Sequence, residues 1–442
     1  MAGSEEDVLL DKLRSIVGPA NVLTGVGLGP YVVEGRTPEA VVFPGSVDEV
    51  RMVVELAGGA GVPVVAWGGG TSASAGTPAS RAGLVLGLSR MARLLEHEPG
   101  DLTVTVEAGI TVAALQTALR ARGQWLSLDP PDAERATIGG VIAASASGPR
   151  RHLYGTPRDL LIGVTAITGD GAVVRGGGKV VKNVAGYDLP KLFVGSFGTL
   201  GIIVQATLKL RPLPEAERLV GVRFDRLKDI GAATRAVTSS DLIPSALEIV
   251  DAESSRALGL APAPTLVVGF DGLAEQVAWQ CEELRRLTTP LGGHGITVLS
   301  EGTWPELLTA ARAAFATPAT VMKLVVLPAT VAEVIEQGTN AARQRGLQSA
   351  WSAHAGAGVL TAALFSPREQ PDPSAIVAVL QDWRGMAGAG GGYAVLEWAP
   401  LTVKALVSVW EAPGPAGRIM QRLKAQLDPL NILNPGRFVA GI

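Results

Sequence analysis

The chain has 442 residues, of which 47% are apolar, so it can form two or three domains with a large core. Its formal net charge of −3 gives no electrostatic basis for binding nucleic acid or an anionic membrane surface. The single cysteine, Cys281, excludes an internal disulfide, and this chain alone cannot form an iron–sulfur cluster or a cysteine zinc site. The N-terminus is acidic and no run of about 18 apolar residues occurs, so we expect a cytoplasmic protein without a membrane span.

Helix and strand patterns alternate in the first half of the chain. In chain order they predict a helix over 8–17, a helix from the capping box Ser46–Glu49 to Gly58-Gly59, strands over 62–67 and 102–107, a helix from Val112 to Gly123, a hairpin of 161–168 with 172–175, and a strand over 202–210. Pro212 and Pro214 then interrupt the pattern, and we predict a domain boundary after residue 214.

The second half of the chain has a different pattern of helices and strands. Its pattern predicts strands at 246–250, 264–270, 321–327, 358–365 and 392–398, and helices at 274–287, 330–345 and 374–384. This alternation favours an α+β domain built on a mostly antiparallel sheet. The glycine-rich tract 386–392 is typical of a flexible loop. A last helix that carries Ile419, Leu423 and Leu427 leads into Asn434-Pro435-Gly436-Arg437.

A run of three glycines follows the strand at 62–67, in the loop 66–76. Consecutive glycines expose main-chain N–H groups, so this turn can bind an anion such as a pyrophosphate. A side chain at Gly69 would then fill the phosphate space. The alternative is an ordinary strand-ending turn. The spacing of Gly68, Gly70 and Ala73 also matches the Rossmann fingerprint, but the residues that follow are typical of a loop and not of the helix that this fingerprint requires.

Three further segments carry small residues next to polar ones. Residues 136–155 could surround a flat ligand or form a tightly packed crossing of small residues. In 176–188, Lys182 and Asn183 are candidates for contact with an anionic cofactor or substrate, and the alternative for a lysine near apolar runs is to extend into solvent. The glycines of 195–203 permit close backbone approach, or form only a tight turn.

Taken together, in this order and spacing, the four segments resemble the FAD-binding domain of the vanillyl-alcohol oxidase and p-cresol methylhydroxylase superfamily. The sequences GPRR, VVKNVAGYDL and NPGRF resemble one branch of it, the FAD-binding subunits of bacterial glycolate oxidases. The resemblance implies a two-part FAD-binding domain at 1–214, an α+β cap or substrate domain at 215–410, and a C-terminal return to the FAD domain at 411–442. The isoalloxazine is expected between the domains.

The resemblance also implies the cofactor site. Its predicted cofactor-binding residues, together with Lys182 and Asn183, are Gly68, Gly69, Gly70, Thr71, Ser72, Gly76, Thr137, Ile138, Gly139, Gly140, Ser147, Gly148, Gly198, Gly201, Ile202 and Asn434. Some relatives attach the flavin through a histidine near the glycine loop; residues 66–76 contain none, so we predict noncovalent FAD. Phe197 stands where many relatives have a carboxylate, and Trp67 where an arginine is common.

The function implied is that of the FAD-binding subunit of a 2-hydroxy-acid (glycolate or D-lactate) dehydrogenase complex. Electrons would pass from the substrate through the flavin to a partner, with a second flavoprotein and an iron–sulfur subunit as expected partners, which could hold the chain at the inner membrane. His354 and Lys182 are the candidate catalytic residues, and a satisfied strand-end histidine is the alternative for His354. The four histidines show no metal-ligand spacing, so no metal site is predicted. Two alternatives stay open: a noncatalytic FAD-holding or assembly subunit, and a stand-alone oxidase.

Overall fold

The computed structural model describes residues 5–81, 83–178, 188–300, 303–315, 317–368 and 372–442. The chain divides into two compact units. The first comprises the residues up to Ala146, Thr156–Leu213 and Ala412–Ile442, and the second comprises Ser147–Gly155 and Pro214–Glu411. Residues 147–155, which the sequence analysis placed in the first domain, thus belong to the second unit.

The elements before residue 214 follow the predicted order. The helices are α1 (Glu5–Val17), α2 (Val47–Ala60), α3 (Val112–Arg120), α4 (Ile138–Ala144), α5 (Arg151–Tyr154), α6 (Pro157–Leu160) and α7 (Leu189–Phe193). The strands are β1 (Val22–Leu23), β2 (Ala40–Val42), β3 (Val64–Trp67), β4 (Leu84–Gly87), β5 (Leu94–Glu98), β6 (Thr103–Glu107), β7 (Gln124–Trp125), β8 (Leu161–Ile167), β9 (Val173–Gly177), β10 (Ile202–Lys209) and β11 (Arg211–Pro212).

The first unit contains two main sheets that share one hydrophobic core. A four-stranded sheet has the order β1-β2-β4-β3, in which β4 runs parallel to both of its neighbours. A five-stranded antiparallel sheet has the order β5-β6-β10-β8-β9. The predicted hairpin is present as β8 and β9, with Ile167 opposite Val173.

The elements after residue 214 form the second unit and the C-terminal helix. The helices are α8 (Leu227–Thr238), α9 (Ala252–Ala257), α10 (Ala274–Thr288), α11 (Thr303–Glu306), α12 (Ala310–Ala313), α13 (Val331–Gln344), α14 (Pro373–Ala389), α15 (Leu401–Lys404) and α16 (Ala416–Leu427). The strands are β12 (Ala216–Arg223), β13 (Ala246–Val250), β14 (Thr265–Gly272), β15 (His294–Val298), β16 (Thr320–Val325), β17 (Gln348–His354), β18 (Val359–Phe365) and β19 (Tyr393–Trp398).

These eight strands form one antiparallel sheet with the order β15-β12-β14-β13-β17-β18-β16-β19. Side chains of α8, α10, α13 and α14 form the largest core of this unit with it. The predicted α+β class and antiparallel sheet are confirmed. The strands β12, β15 and β17 and the helix α8 are findings that the sequence analysis did not predict.

Two local predictions are wrong. The helix α2 continues through Gly58-Gly59 and ends at Gly61, whose left-handed φ of 65° closes it. The glycine-rich tract is not a loop up to residue 389, since α14 extends to Ala389 and buries Ala387. The predicted last helix is present as α16, on which Ile419 is 63% exposed and Lys424 is buried.

Candidate functional site

A cleft of about 840 Å³, measured out to its open mouth, lies at the carboxyl end of β3 in the first unit. Residues of both main sheets, of α4 and of the C-terminal tail line it. They are Val65, Ala66, Trp67, Gly68, Gly69, Gly70, Thr71, Ser72, Ala73, Leu88, Thr137, Gly139, Gly140, Ala143, Ala144, Phe197, Gly198, Gly201, Ile202, Ile203, Asn434 and Arg437. The structure thus brings together most of the predicted cofactor-binding residues, from four distant parts of the chain.

The glycine loop supplies one wall of the cleft. No helix follows Gly68–Gly70, as predicted; the chain continues in turns, with Ala73 N–H donating to Gly70 O at 3.2 Å. No backbone N–H from Gly68 to Ser72 donates a hydrogen bond to another residue that the structure describes. A row of main-chain donors with no acceptor of their own is suited to an anionic group.

The glycines of this loop are required by contacts within the protein. A Cβ at Gly69 would lie 1.7 Å from Arg135 O, and a Cβ at Gly68 would lie 2.1 Å from Thr137 Oγ1. The expectation that a side chain at Gly69 fills the phosphate space is therefore corrected: it would collide with the backbone at Arg135. The absence of side chains lets the loop lie directly against the segment that leads into α4.

Another part of the cleft lining is formed by Phe197, Gly198 and Asn434. Phe197 and Asn434 have left-handed φ values of 52° and 45°, which is uncommon outside glycine. Asn434 Nδ2 donates to Phe197 O at 2.6 Å. Asn434 Oδ1 is buried and has no hydrogen-bond partner among the described residues, although the side chain lines the cleft. An unpaired buried acceptor is costly and favours a ligand that donates to it.

Arg437 was noted in the sequence only as a charged neighbour of Asn434. Among the described residues that line the cleft it is the one charged side chain. Its Nη2 donates to Ala73 O at 2.7 Å and to Ala75 O at 2.5 Å, so it supports the glycine loop from the tail. Burial lowers the pKa of Arg437, and Glu34 opposes this. The NPGR sequence was the available signal for this residue.

Several predicted cofactor-binding residues lie elsewhere. Ile138 is buried in the core, and Gly76 lies against the tail, where a Cβ would approach Arg437 O to 2.7 Å. Ser147 and Gly148 belong to the second unit. Lys182 and Asn183 fall within 179–187, outside the described residues.

In the second unit, His354 ends β17 and is held by a buried carboxylate. Its Nδ1 lies 2.8 and 2.9 Å from the two carboxylate oxygens of Glu248, which is only 3% exposed. Burial raises the pKa of Glu248, while His354 and Arg151 oppose that shift. Nε2 of His354 has no hydrogen-bond partner among the described residues. A carboxylate-held imidazole with one free nitrogen can accept or donate a proton.

The segment 147–155 adds further ionisable groups to this unit. Arg150 pairs with Glu217 and lies 4.6 Å from the ring centroid of Trp304. His152 lies against Gly356, where a Cβ would come within 2.2 Å of its Nδ1, and burial lowers the pKa of His152. The sequence analysis missed His152 and Glu248, because no local spacing connects them with His354.

The described residues form neither a candidate metal site nor a candidate membrane-spanning helix. Within the described ranges, no three His, Cys, Asp or Glu side chains are placed to hold a metal ion. Over the same part of the chain, no helix combines the length and apolar character needed to cross a membrane.

Two family models match the chain. The model described as FAD binding domain covers residues 38–177, and the model described as FAD linked oxidases, C-terminal domain, covers residues 213–438, which is just over half of the chain. The chain belongs to the FAD-linked oxidases. This confirms the predicted family, the FAD cofactor and the assignment as an FAD-dependent oxidoreductase.

Curated relatives are similar over nearly the whole FAD-linked oxidase chain. Glycolate oxidase subunit GlcD of Bacillus subtilis (strain 168) is 29% identical over 421 residues, which cover 91% of this chain and 89% of that protein. The mitochondrial D-lactate dehydrogenase [cytochrome] of Arabidopsis thaliana is 29% identical over 418 residues, which cover 91% of this chain and 73% of the relative.

The fold agrees with solved structures of the predicted superfamily. A structure of p-cresol methylhydroxylase with substrate bound matches with a TM-score of 0.80 and 16% identity, covering 100% of this chain and 98% of the other. At this identity the likeness shows the fold alone, and it confirms the predicted fold type.

The residues of the cleft fit FAD. The free N–H groups of Gly68–Ser72 and the charge of Arg437 match a diphosphate, and the unpaired Oδ1 of Asn434 matches a hydrogen-bond donor. Small apolar residues of α4, which include Ala143 and Ala144, line the cleft beside these polar groups.

Proposed function

We propose that this FAD-linked oxidase is the substrate-oxidising, FAD-binding subunit of a 2-hydroxy-acid dehydrogenase. Two named relatives, a glycolate oxidase subunit and a D-lactate dehydrogenase, support a substrate of this class. The observation that carries the catalytic assignment is the Glu248–His354 pair, because it provides a proton acceptor whose orientation is fixed.

FAD is held noncovalently by the first unit, in the cleft between the glycine loop and Asn434. Residues 66–76, where some relatives carry a histidine that attaches the flavin, contain none. Main-chain donors from Gly68 to Ser72 bind the diphosphate, with Arg437 as the cationic side chain nearby. Residues 1–214 and 411–442 are thus the proposed FAD-binding domain, and 215–410 the substrate domain.

Oxidation of a 2-hydroxy acid to a 2-oxo acid removes a hydride from the carbinol carbon and a proton from its hydroxyl group. FAD supplies the two-electron acceptor for the hydride. His354 takes the hydroxyl proton at Nε2, while Glu248 holds Nδ1 and stabilises the imidazolium that forms.

The electrons then leave to another protein. The expected acceptor is an iron–sulfur cluster, which relays single electrons. Because this chain has a single cysteine and cannot hold such a cluster, the cluster belongs to a separate subunit, and a second flavoprotein is the other expected partner.

The test is anaerobic mixing of the purified FAD-loaded chain with glycolate and, separately, with D-lactate. Bleaching of the flavin absorbance band by either acid, with formation of one 2-oxo acid for each flavin reduced, is the expected result. An unbleached band with every 2-hydroxy acid tried overturns the catalytic assignment and favours a noncatalytic FAD-holding subunit. Rapid turnover with O₂ and stoichiometric peroxide would identify a stand-alone oxidase instead.

A further inference from the structure

Lys424 and Asp428 form a buried ion pair at the end of α16, with exposures of 6% and 1%. Lys424 Nζ lies 2.5 Å from Asp428 Oδ2, 2.9 Å from Thr199 O and 2.8 Å from Leu433 O. These three acceptors use all three N–H groups of the ammonium. One side chain therefore connects α16, the turn before β10 and the C-terminal tail.

The two carbonyls that Lys424 binds belong to residues beside the strained part of the cleft. Thr199 follows Phe197 by two positions, and Leu433 directly precedes Asn434. Phe197 and Asn434 both have left-handed φ values, and they are joined by the bond from Asn434 Nδ2 to Phe197 O. Such conformations cost free energy and persist only where surrounding contacts hold them.

Asp428 also holds the C-terminal tail, through two of its backbone N–H groups. Its carboxylate accepts Ile432 N–H at 3.1 Å and Leu433 N–H at 2.8 Å. The tail then lies beside β3: Val64 N–H donates to Ile432 O at 2.7 Å, and Asn434 N–H donates to Val64 O at 2.9 Å. Because β3 leads directly into the glycine loop, the ion pair is connected to both parts of the cleft.

We propose that Lys424, paired with Asp428, is a positioning residue of the cofactor cleft. It holds the Phe197–Gly198 turn and Asn434 in the arrangement that receives FAD. The inference rests on the proposed use of this cleft for FAD. It adds a residue that contacts no cofactor and that acts through two backbone carbonyls.

The first test uses the FAD-free chain and the variant Lys424→Met, which keeps the length of the side chain and removes its three donors. The matched control is Glu107→Gln, which weakens another ion pair of the same unit, the one between the buried Glu107 and the exposed Arg93 at 2.7 Å. We expect amide hydrogen exchange to accelerate in 197–199 and 432–434 together in Lys424→Met and in neither segment in Glu107→Gln. Unchanged exchange in either segment of Lys424→Met, or equal acceleration in the control, overturns the proposal.

The second readout is the Kd for FAD, from flavin fluorescence at a temperature where each variant is folded. Lys424→Met should raise Kd at least about tenfold and Glu107→Gln less than about twofold, because only the first frees carbonyls beside the cleft. A wild-type chain that binds no FAD would refute the proposed function, while the exchange result would still decide the role of Lys424. If Lys424→Met does not fold, Asp428→Asn replaces it, with the same two segments and the same outcomes.

Discussion

The cleft of the first unit and the ionisable cluster of the second unit use polar groups in different ways. The cleft of the first unit is lined mainly by backbone and small neutral side chains, with Arg437 as its one charged side chain among the described residues. The second unit buries ionisable side chains: Glu248 with His354, Arg150 with Glu217, and Asp251 at the start of α9. The first arrangement suits recognition of a fixed cofactor by shape and main-chain donors, and the second suits proton transfer.

This difference predicts that substitutions at the two places impair the protein in different ways. Substitutions of the cleft glycines should act by steric collision, because an added Cβ meets backbone or side-chain atoms. Substitutions in the ionisable cluster should act through protonation, because removal of an ionisable atom leaves the backbone in place.

The largest effect is expected for Gly69→Ala. Its Cβ would lie 1.7 Å from Arg135 O, so the glycine loop and the segment before α4 must separate, and the purified variant should retain no FAD. FAD content is measured by absorbance after release from the protein. The control is Gly59→Ala on the exposed face of α2, where no atom lies within 4 Å of the added Cβ, and it should keep its full complement. Full FAD occupancy in folded Gly69→Ala would mean that the cofactor lies elsewhere.

His354→Asn should leave FAD content unchanged and slow flavin reduction. The asparagine amide can still donate to Glu248, but the nitrogen proposed to take the substrate proton is lost. We expect the rate constant of anaerobic reduction by 2-hydroxy acid to fall by about 10²–10⁴-fold, the usual contribution of a general base. A wild-type rate in this variant would return His354 to a structural role at the end of β17.

The smallest expected effect concerns stability. Burial raises the pKa of Asp251 to about 6, from 3.8 in the unfolded chain. The folded state therefore keeps the Asp251 proton to a higher pH than the unfolded state, and the contribution of Asp251 to the free energy of unfolding should decline by about 3 kcal/mol as pH rises from about 4 to about 6.

Denaturant unfolding across this pH range checks the expectation. Asp251→Asn keeps an oxygen that can accept Ser254 N–H and should remove this contribution, so the decline is measured as the difference between the wild type and the variant. Asp372→Asn, at the exposed N-cap of α14, should leave the decline in place. A decline of the same size in Asp251→Asn would assign it to another group.

The sequence was sufficient where the structure depends on local pattern. The N-cap at Ser46, the strand before Gly68 and the β8–β9 hairpin all form as predicted, because each depends on neighbours within a few residues. The capping box is only half formed, since the Glu49 carboxylate accepts Gly45 N–H instead of Ser46 N–H. Asn434 could be placed in one cleft with Phe197 and the glycine loop only through the resemblance to a family, since Asn434 lies 237 residues after Phe197 and still farther from the loop.

Long-range pairing explains what was missed. Glu248 lies 106 residues from His354, and a carboxylate inside a strand of apolar residues gives no sign of its partner. Nothing local in the sequence indicates that Lys424 is buried, because its partners Thr199 and Leu433 lie outside α16. The helix α14 continues through glycines because Ala387 and Trp383 are buried in the core, which outweighs the low helix propensity of glycine.

We propose that main-chain donors of the first unit hold FAD without a covalent bond. To test this, the chain is purified, saturated with FAD, freed of the excess, and precipitated with acid. We expect one FAD per chain, with the yellow colour in the supernatant. A yellow pellet would contradict the noncovalent site, and a chain that stays colourless after reconstitution would contradict the cleft itself.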